Sequence, residues 1–169
     1  PYQSLDDCME EDYNLYKDVS LGDLLIRPNA DTTMLKAACV RYYFASVTGV
    51  DREFGRLLDE LEKLGLDDNT IVVFTSDHGE TMCSQGINDP KNSPYTESMN
   101  VPFLVRYPGK LKPRVDSELL LSTPDIMPTL LGLAGLGDEI PATVEGRNYA
   151  GWFTRQERSV PVREAALYI

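Results

Sequence analysis

The sequence predicts an α/β fold, and the prediction depends on one strand, one helix and the short turn between them. Residues 71–74 are apolar without alternation, which is typical of a strand buried on both faces. Before this strand, apolar residues recur every three or four positions from Tyr43 to Leu64, as in an amphipathic helix. Helix, short turn and buried strand together form half of a parallel α/β unit.

Composition excludes several classes of protein. The 169 residues are enough for one domain with a core, and 42% of them are hydrophobic. A net charge of -11 without a basic cluster argues against nucleic-acid binding. No apolar run has the length of a membrane span. The three cysteines, Cys8, Cys39 and Cys83, lack the spacing of a zinc site, so we expect ordinary thiols.

The first half of the chain is predicted to form an arm followed by the long helix. Residues 1–30 mix acids, tyrosines and prolines, and we expect an irregular connecting arm there. The capping residues that begin with Asp31 predict the start of the helix, and Gly65 predicts its end. Gly49 lies inside this pattern and predicts a bend or a split.

The second half of the chain begins with a long polar loop, from Glu80 to about residue 100, which is a length usually associated with function. A second strand is predicted at residues 102–107 and a third, short one at residues 118–121. Residues 122–135 have the pattern of a helix with proline in its first turn and glycine at its end. The last residues, 165–169, predict an unfinished strand.

Asp77 and His78 directly follow the predicted central strand. In open α/β sheets, ligands bind just beyond the carboxyl ends of the strands, and His78 is the only histidine in the chain. A carboxylate and an imidazole are both metal ligands, and Gly79 would let the backbone turn to aim both at one centre. The alternative is a simple turn in which Asp77 caps the next segment and His78 faces solvent. Spacing alone does not separate these two interpretations.

Several motifs in this region resemble those of the type I sulfatases of the alkaline phosphatase superfamily. They are Asp77-His78-Gly79-Glu80, Lys91, residues 95–98 and residues 101–109. Residues 50–61 and 123–131 extend the likeness, which covers roughly residues 31–150. One motif alone would be weak, but these occur in the order that the family has.

The resemblance implies a sandwich with a mixed, mostly parallel sheet between helices, and hydrolysis of a sulfuric ester. It implies a divalent metal, calcium by preference, bound by Asp77 and His78. Lys91 matches the catalytic lysine that binds the sulfate oxygens. The expected substrate is a sulfated small molecule or glycan. The compartment implied is periplasmic, secreted or lysosomal, with the cytoplasm left open.

The sequence also departs from the family pattern. The family makes its formylglycine nucleophile from a Cys or Ser in a Cys/Ser-x-Pro-x-Arg motif, and none of the three cysteines heads such a motif. The acidic metal ligands of the family's first strand are absent too. We therefore expect a segment without the nucleophile, inactive alone and prone to self-association, with the formylglycine in a missing N-terminal half.

The expected organisation has three parts. Residues 1–30 form the arm, residues 31–155 form the second half of the catalytic domain, and residues 156–169 begin a C-terminal strand or subdomain. Two other functions stay open. One is a phosphodiesterase, phosphonate hydrolase or phosphoethanolamine transferase of the same superfamily, although Lys91 and residues 95–108 favour a sulfatase. The other is a binding module without catalysis.

Overall fold

The computed structural model describes residues 8–27, 29–155 and 160–165. In chain order, the regular elements are α1 (Glu10–Asn14), α2 (Leu21–Leu24), a 3-10 turn (Leu35–Cys39), α3 (Val40–Lys63), a 3-10 turn (Asp67–Asn69), β1 (Val72–Thr75), α4 (Thr96–Met99), β2 (Phe103–Arg106), α5 (Thr123–Leu133), a 3-10 turn (Gly137–Glu139) and α6 (Ala150–Thr154). Strands β1 and β2 pair in a two-stranded sheet within the described residues. The combination of helices with a small sheet confirms the predicted α/β class.

The chain divides into two compact units. One comprises Pro1–Gly65 with Phe74–Phe103, and the other comprises Leu66–Val73 with Leu104–Ile169. The expected organisation into residues 1–30, 31–155 and 156–169 stays a prediction. Within the residues that the structure describes, no helix is both long and apolar enough to cross a membrane.

Helix α3 is the longest element, with 24 residues that extend about 36 Å at 1.5 Å per residue. It begins at Val40 and not near Asp31. The Asp31 carboxylate accepts hydrogen bonds from the backbone N–H and hydroxyl of Thr33, at 2.8 and 2.6 Å, but the residues that follow form a local turn and then the 3-10 turn Leu35–Cys39 before the helix starts. The helix continues through Gly49, so the predicted split there is wrong, while the predicted bend stays a prediction. Gly65 follows its end with a φ of +64°, which agrees with the predicted stop.

Residues 8–27 pack on α3 through two arginines. Arg52 of α3 forms a two-pronged ion pair with the buried carboxylate of Asp12 in α1, with N–O distances of 2.5 and 2.9 Å. Arg41 of α3 donates two hydrogen bonds to the carbonyl of Val19, at 3.0 and 2.8 Å. These contacts attach α1 and the start of α2 to the long helix.

The same helix supports the strand that precedes the candidate site. Phe54 of α3 packs against Phe74 of β1 with their ring centroids 5.0 Å apart. Such an aromatic contact stabilises the pair beyond the area it buries. Phe74 of β1 therefore contacts α3 through this pair of rings, one residue before the strand ends.

In the other unit, residues 118–121 do not form the predicted third strand. The carboxylate of Asp116 accepts hydrogen bonds from the backbone N–H groups of Glu118 and Leu119, at 3.1 and 3.0 Å. These amides are therefore engaged in a side-chain turn instead of a strand ladder. The strand predicted at residues 165–169 lies, except for residue 165, outside the described residues.

Candidate functional site

The turn after β1 places Asp77 and His78 side by side. The Asp77 side chain is 84% exposed, and one of its oxygens accepts a hydrogen bond from the backbone N–H of His78 at 3.0 Å. This N–H holds the pKa of the Asp77 carboxyl below its ordinary value, so the group is a carboxylate at neutral pH. The Ser76 hydroxyl donates to the His78 carbonyl at 2.9 Å and closes the turn.

The orientation of the His78 ring suits a metal ligand. Its Nδ1 lies 2.8 Å from the carbonyl oxygen of Gly79, and because a carbonyl only accepts, Nδ1 carries the proton. Nε2 then lies 3.5 Å from the other oxygen of Asp77. A histidine that binds a metal through one nitrogen commonly donates the other to a backbone carbonyl, as here. We call these two side chains the Asp77–His78 pair.

The pair combines a carboxylate and an imidazole, two chemical groups that bind metals. Among residues 8–27, 29–155 and 160–165, no group of three or more His, Cys, Asp or Glu side chains is arranged to hold a metal ion. One carboxylate and one imidazole fit a divalent cation chemically, but two ligands leave most of its sphere to other donors. The pair can therefore bind a cation together with ligands from elsewhere.

Gly79 is required for a different reason from the one that the sequence suggested. Its φ lies outside the left-handed region, so the sharp turn is not what demands glycine. A Cβ atom at this position would instead overlap the backbone carbonyl of Glu97, which lies in α4. The N–H of Gly79 donates to the carbonyl of Ser98 at 2.7 Å. The glycine thus lets α4 approach the turn that carries the Asp77–His78 pair.

Lys91 belongs to a segment that packs against the same turn. Its backbone N–H donates to the Asp89 carboxylate at 3.2 Å, and its carbonyl accepts a hydrogen bond from the Ser98 hydroxyl. The preceding residue, Pro90, accepts a hydrogen bond from the N–H of Thr81 at 3.0 Å. The structure therefore brings the backbone of Lys91 to the residues just after His78.

The loop between these two segments contains unusual backbone conformations. Met82, Cys83 and Gln85 have φ values of +49°, +62° and +64°, a region that non-glycine residues enter at a cost of about 1–3 kcal/mol each. Such conformations persist only where neighbouring contacts over-determine them, and they cluster at functional sites.

Side chains to which the sequence assigned no individual role hold this loop. One oxygen of Glu97 accepts hydrogen bonds from the Ser84 hydroxyl at 3.2 Å and the Gln85 amide at 3.0 Å. Arg27 donates to the carbonyls of Glu80 and Thr81, each at 3.1 Å. These partners are 12 to 54 residues apart in the chain, a separation at which no local pattern could have identified them.

Comparison with known proteins identifies the class to which this fold and site belong. The model of the sulfatase family matches residues 6–136, and the chain belongs to that family. Sulfatases generally use a divalent metal and a formylglycine. Over 169 residues the chain is 66% identical to an endo-4-O-sulfatase of Bacteroides thetaiotaomicron, and an arylsulfatase of Clostridium perfringens is 39% identical over 141 residues. These alignments cover 100% and 81% of this chain, but 33% and 27% of the relatives.

Solved structures also resemble this chain over most of its length. A Bacteroides thetaiotaomicron structure, from work on the metabolism of multiple glycosaminoglycans, matches 99% of the chain with a TM-score of 0.95 and 65% identity. The phosphonate monoester hydrolase of Agrobacterium radiobacter matches 77% of the chain with a TM-score of 0.65 and 29% identity. The chain covers 34% and 25% of those two structures, so it spans about a third or less of their length.

One serine, overlooked when only the cysteines were considered, does have the formylglycine spacing. Ser159 is followed by Pro161 and Arg163 in the order Ser-x-Pro-x-Arg. This stretch lies beyond the residues that match the family. The guanidinium of Arg163 is engaged with the buried carboxylate of Asp125, at 3.0 and 2.7 Å. An arginine held in this way is a structural group, so we do not assign the nucleophile to Ser159.

Proposed function

We propose that this chain provides metal- and sulfate-binding residues of a sulfuric ester hydrolase that acts on a sulfated glycan. The observation that carries the proposal is the geometry at the end of β1. There the Asp77–His78 pair presents an ionised carboxylate and an oriented imidazole, and the backbone of Lys91 is fastened to the residues that follow. The order of these three residues is also that of the sulfatase motifs.

Asp77 and His78 would hold the divalent cation, and we propose calcium. Calcium binds six to eight ligands, mostly oxygens, so the remaining positions require donors beyond this pair. When bound, the cation offsets the negative charge of the sulfate group. In this arrangement Asp77 contributes charge and an oxygen, while the Gly79 carbonyl fixes the ring of His78.

Lys91 would bind the oxygens of the sulfate group. An ammonium is a compact point charge with three donors, suited to an anion whose charge increases in the transition state. Its backbone is held at both the N–H and the carbonyl, so the side chain extends from a fixed point. The covalent nucleophile, a formylglycine, is expected in a part of the protein outside this chain.

The proposed substrate class follows from the relatives. One relative at 66% identity is an endo-4-O-sulfatase, and two others at 40% identity are an ulvan-active sulfatase and an N-acetylglucosamine-6-O-sulfatase. We therefore propose an O-sulfated glycan as the substrate, with 4-O-sulfate as the first position to test.

The alternative to test is hydrolysis of phosphorus esters, because the chain also resembles a phosphonate monoester hydrolase, although the relatives at 66% and 40% identity are sulfatases. Turnover of matched aryl sulfate, aryl phosphate and phenylphosphonate substrates by the full-length protein separates the two. We expect the sulfate ester to be preferred. A preference for the phosphonate would refute the sulfatase proposal.

Substitutions in the full-length protein test the individual roles. Asp77→Ala should lose bound metal, and turnover should fall by at least about 100-fold because the transition state loses its electrostatic partner. Lys91→Ala should keep its metal while sulfate-ester turnover falls by about 100-fold. The exposed Lys112 serves as a matched control, and Lys112→Ala should retain both properties.

Metal content by mass spectrometry and kcat/KM, measured on the same preparations, decide between the outcomes. An Asp77→Ala protein with full metal and full rate would show that Asp77 is only part of a turn. A Lys91→Ala protein with unchanged kinetic constants would show that Lys91 does not contact the sulfate group.

A further inference from the structure

A closed ring of hydrogen bonds joins three segments around the candidate site. The Gly79 N–H donates to the Ser98 carbonyl, the Ser98 hydroxyl donates to the Lys91 carbonyl, and the Thr81 N–H donates to the carbonyl of Pro90. Since Pro90 precedes Lys91 and Gly79 lies two residues before Thr81, the chain itself closes the ring. We call these five residues the hydrogen-bonded ring.

Ser98 is the one member of this ring that contributes both backbone and side chain. Its carbonyl holds the turn after the Asp77–His78 pair, and its hydroxyl holds the segment that carries Lys91. The residue is 3% exposed, so water cannot readily replace its hydroxyl as the partner of the Lys91 carbonyl. The two connections are chemically separable, because a side-chain substitution removes the second and leaves the first.

We propose that Ser98 is a positioning residue that sets Lys91 relative to the Asp77–His78 pair. The inference rests on the proposed function, in which Lys91 binds the sulfate group. The buried hydroxyl of Ser98 donates to the carbonyl of Lys91, so it acts on the backbone from which the Lys91 side chain extends. Loss of this hydroxyl should therefore weaken sulfate binding and turnover while metal binding is kept.

A purely structural role for Ser98 predicts something else. If the hydroxyl only stabilised the loop, its loss would lower the unfolding midpoint and affect metal binding, sulfate binding and turnover together. The structure supplies a matched control in Ser93, which is 4% exposed, lies between Lys91 and α4 and has a hydroxyl without a hydrogen-bond partner among the described residues. Ser93→Ala removes an equally buried hydroxyl that makes no connection to Lys91.

The test is a double-mutant cycle in the full-length protein, with Ser98→Ala, Lys91→Ala and both together. We expect Ser98→Ala to reduce kcat/KM about tenfold, the effect of losing one buried hydrogen bond. Inorganic sulfate, titrated by calorimetry, should bind more weakly, while calcium affinity stays within about twofold of the parent. In the Lys91→Ala background, Ser98→Ala should cause no further loss, because the group on which it acts is gone. Ser93→Ala should resemble the parent.

Each outcome has a separate meaning. If the Ser98→Ala and Lys91→Ala effects multiply in the double variant, or if Ser98→Ala matches the parent, the positioning role is refuted while the proposed function stands. If Lys91→Ala itself has no effect, the proposed role of Lys91 fails and this inference fails with it. Should Ser98→Ala not fold, Ser98→Cys replaces it in the cycle, since a thiol of similar size is a weaker donor.

Discussion

Substitution of Asp125 tests how the start of α5 is held to the rest of its unit. The side chain is fully buried, and its two oxygens accept four hydrogen bonds. Arg163 donates two of them, at 3.0 and 2.7 Å, and the backbone N–H groups of Arg147 and Ser122 donate the others, at 2.7 and 3.0 Å. Asp125→Asn keeps the size of the side chain but turns one acceptor into a donor that faces two of these groups.

The structure gives the magnitude of the expected effect. Removing one partner of a buried ion pair typically costs about 3–5 kcal/mol of unfolding free energy. The guanidinium side of this pair is 23% exposed, so water compensates in part, and we expect a loss near the lower limit, about 3 kcal/mol. Asp138, exposed in the 3-10 turn that follows α5, is the matched control, and Asp138→Asn should change the unfolding free energy by less than about 0.5 kcal/mol.

The same carboxylate gives a pH dependence of known sign. Burial alone would raise the pKa of Asp125, but the hydrogen bonds from Arg163, Arg147 and Ser122 outweigh it and hold the pKa below the ordinary 3.8. A carboxyl group whose folded pKa is lowered contributes stability above its unfolded pKa and loses it as pH falls through the folded pKa. We expect this contribution at neutral pH, a decline below about pH 3.8, and its absence from Asp125→Asn.

Urea unfolding of the purified protein at several pH values measures both effects. Trp152, the only tryptophan in this chain, lies in α6 of the same unit as Asp125. Its fluorescence follows the unfolding of that unit in a protein that has no other tryptophan. If Asp125→Asn unfolds within about 0.5 kcal/mol of the parent at pH 7, the four hydrogen bonds do not stabilise the fold by the expected amount of about 3 kcal/mol.

Two further predictions concern the site and the chain as a whole. Gly79→Ala should weaken calcium binding about tenfold, because its Cβ would displace the Glu97 carbonyl. The control is Gly55→Ala in α3, where nothing lies within 4 Å of the added Cβ, so calcium affinity should not change and the stability of the fold should be unchanged or higher. Calorimetry with calcium tests both variants, and equal affinities would refute the close approach at Gly79. Residues 1–169 alone should release no sulfate from an aryl sulfate and should self-associate, as measured by turnover and by light scattering. Turnover that Ser159→Ala abolishes would instead assign the nucleophile to Ser159.

The parts of this structure that the sequence predicted are those encoded in local patterns. The apolar run before Ser76 predicted the strand, which the structure has at Val72–Thr75. The site expected where this run changes abruptly to polar residues stays a prediction. The apolar stripe predicted α3 and its end at Gly65, but not its start. The start was misplaced because Asp31 and Thr33 form a local turn of the kind that also caps helices, and a 3-10 turn (Leu35–Cys39) separates it from α3.

The prediction of a third strand was wrong for a related reason. Residues 118–121 have the composition of a strand, yet the Asp116 carboxylate binds the N–H groups of Glu118 and Leu119. A strand requires its backbone groups to face a neighbour, and one side chain two or three residues upstream is enough to prevent it. The composition of residues 118–121 does not show whether their N–H groups will bind a neighbouring strand or a nearby side chain.

The candidate site shows most clearly what lies beyond local patterns. The sequence identified Asp77, His78 and Lys91 as candidate ligands by their side-chain chemistry, but it did not show which contacts fix their positions relative to one another. Part of that information lies in Ser98, which is 19 residues from Gly79 and seven from Lys91 and which the sequence marked only as one member of the motif at residues 95–98. Its backbone and its hydroxyl each hold one of the segments that bear the predicted ligands. The order of motifs along residues 77–98 is therefore also the order of contacts around one hydrogen-bonded ring, and this gives the motifs a physical reason to occur together.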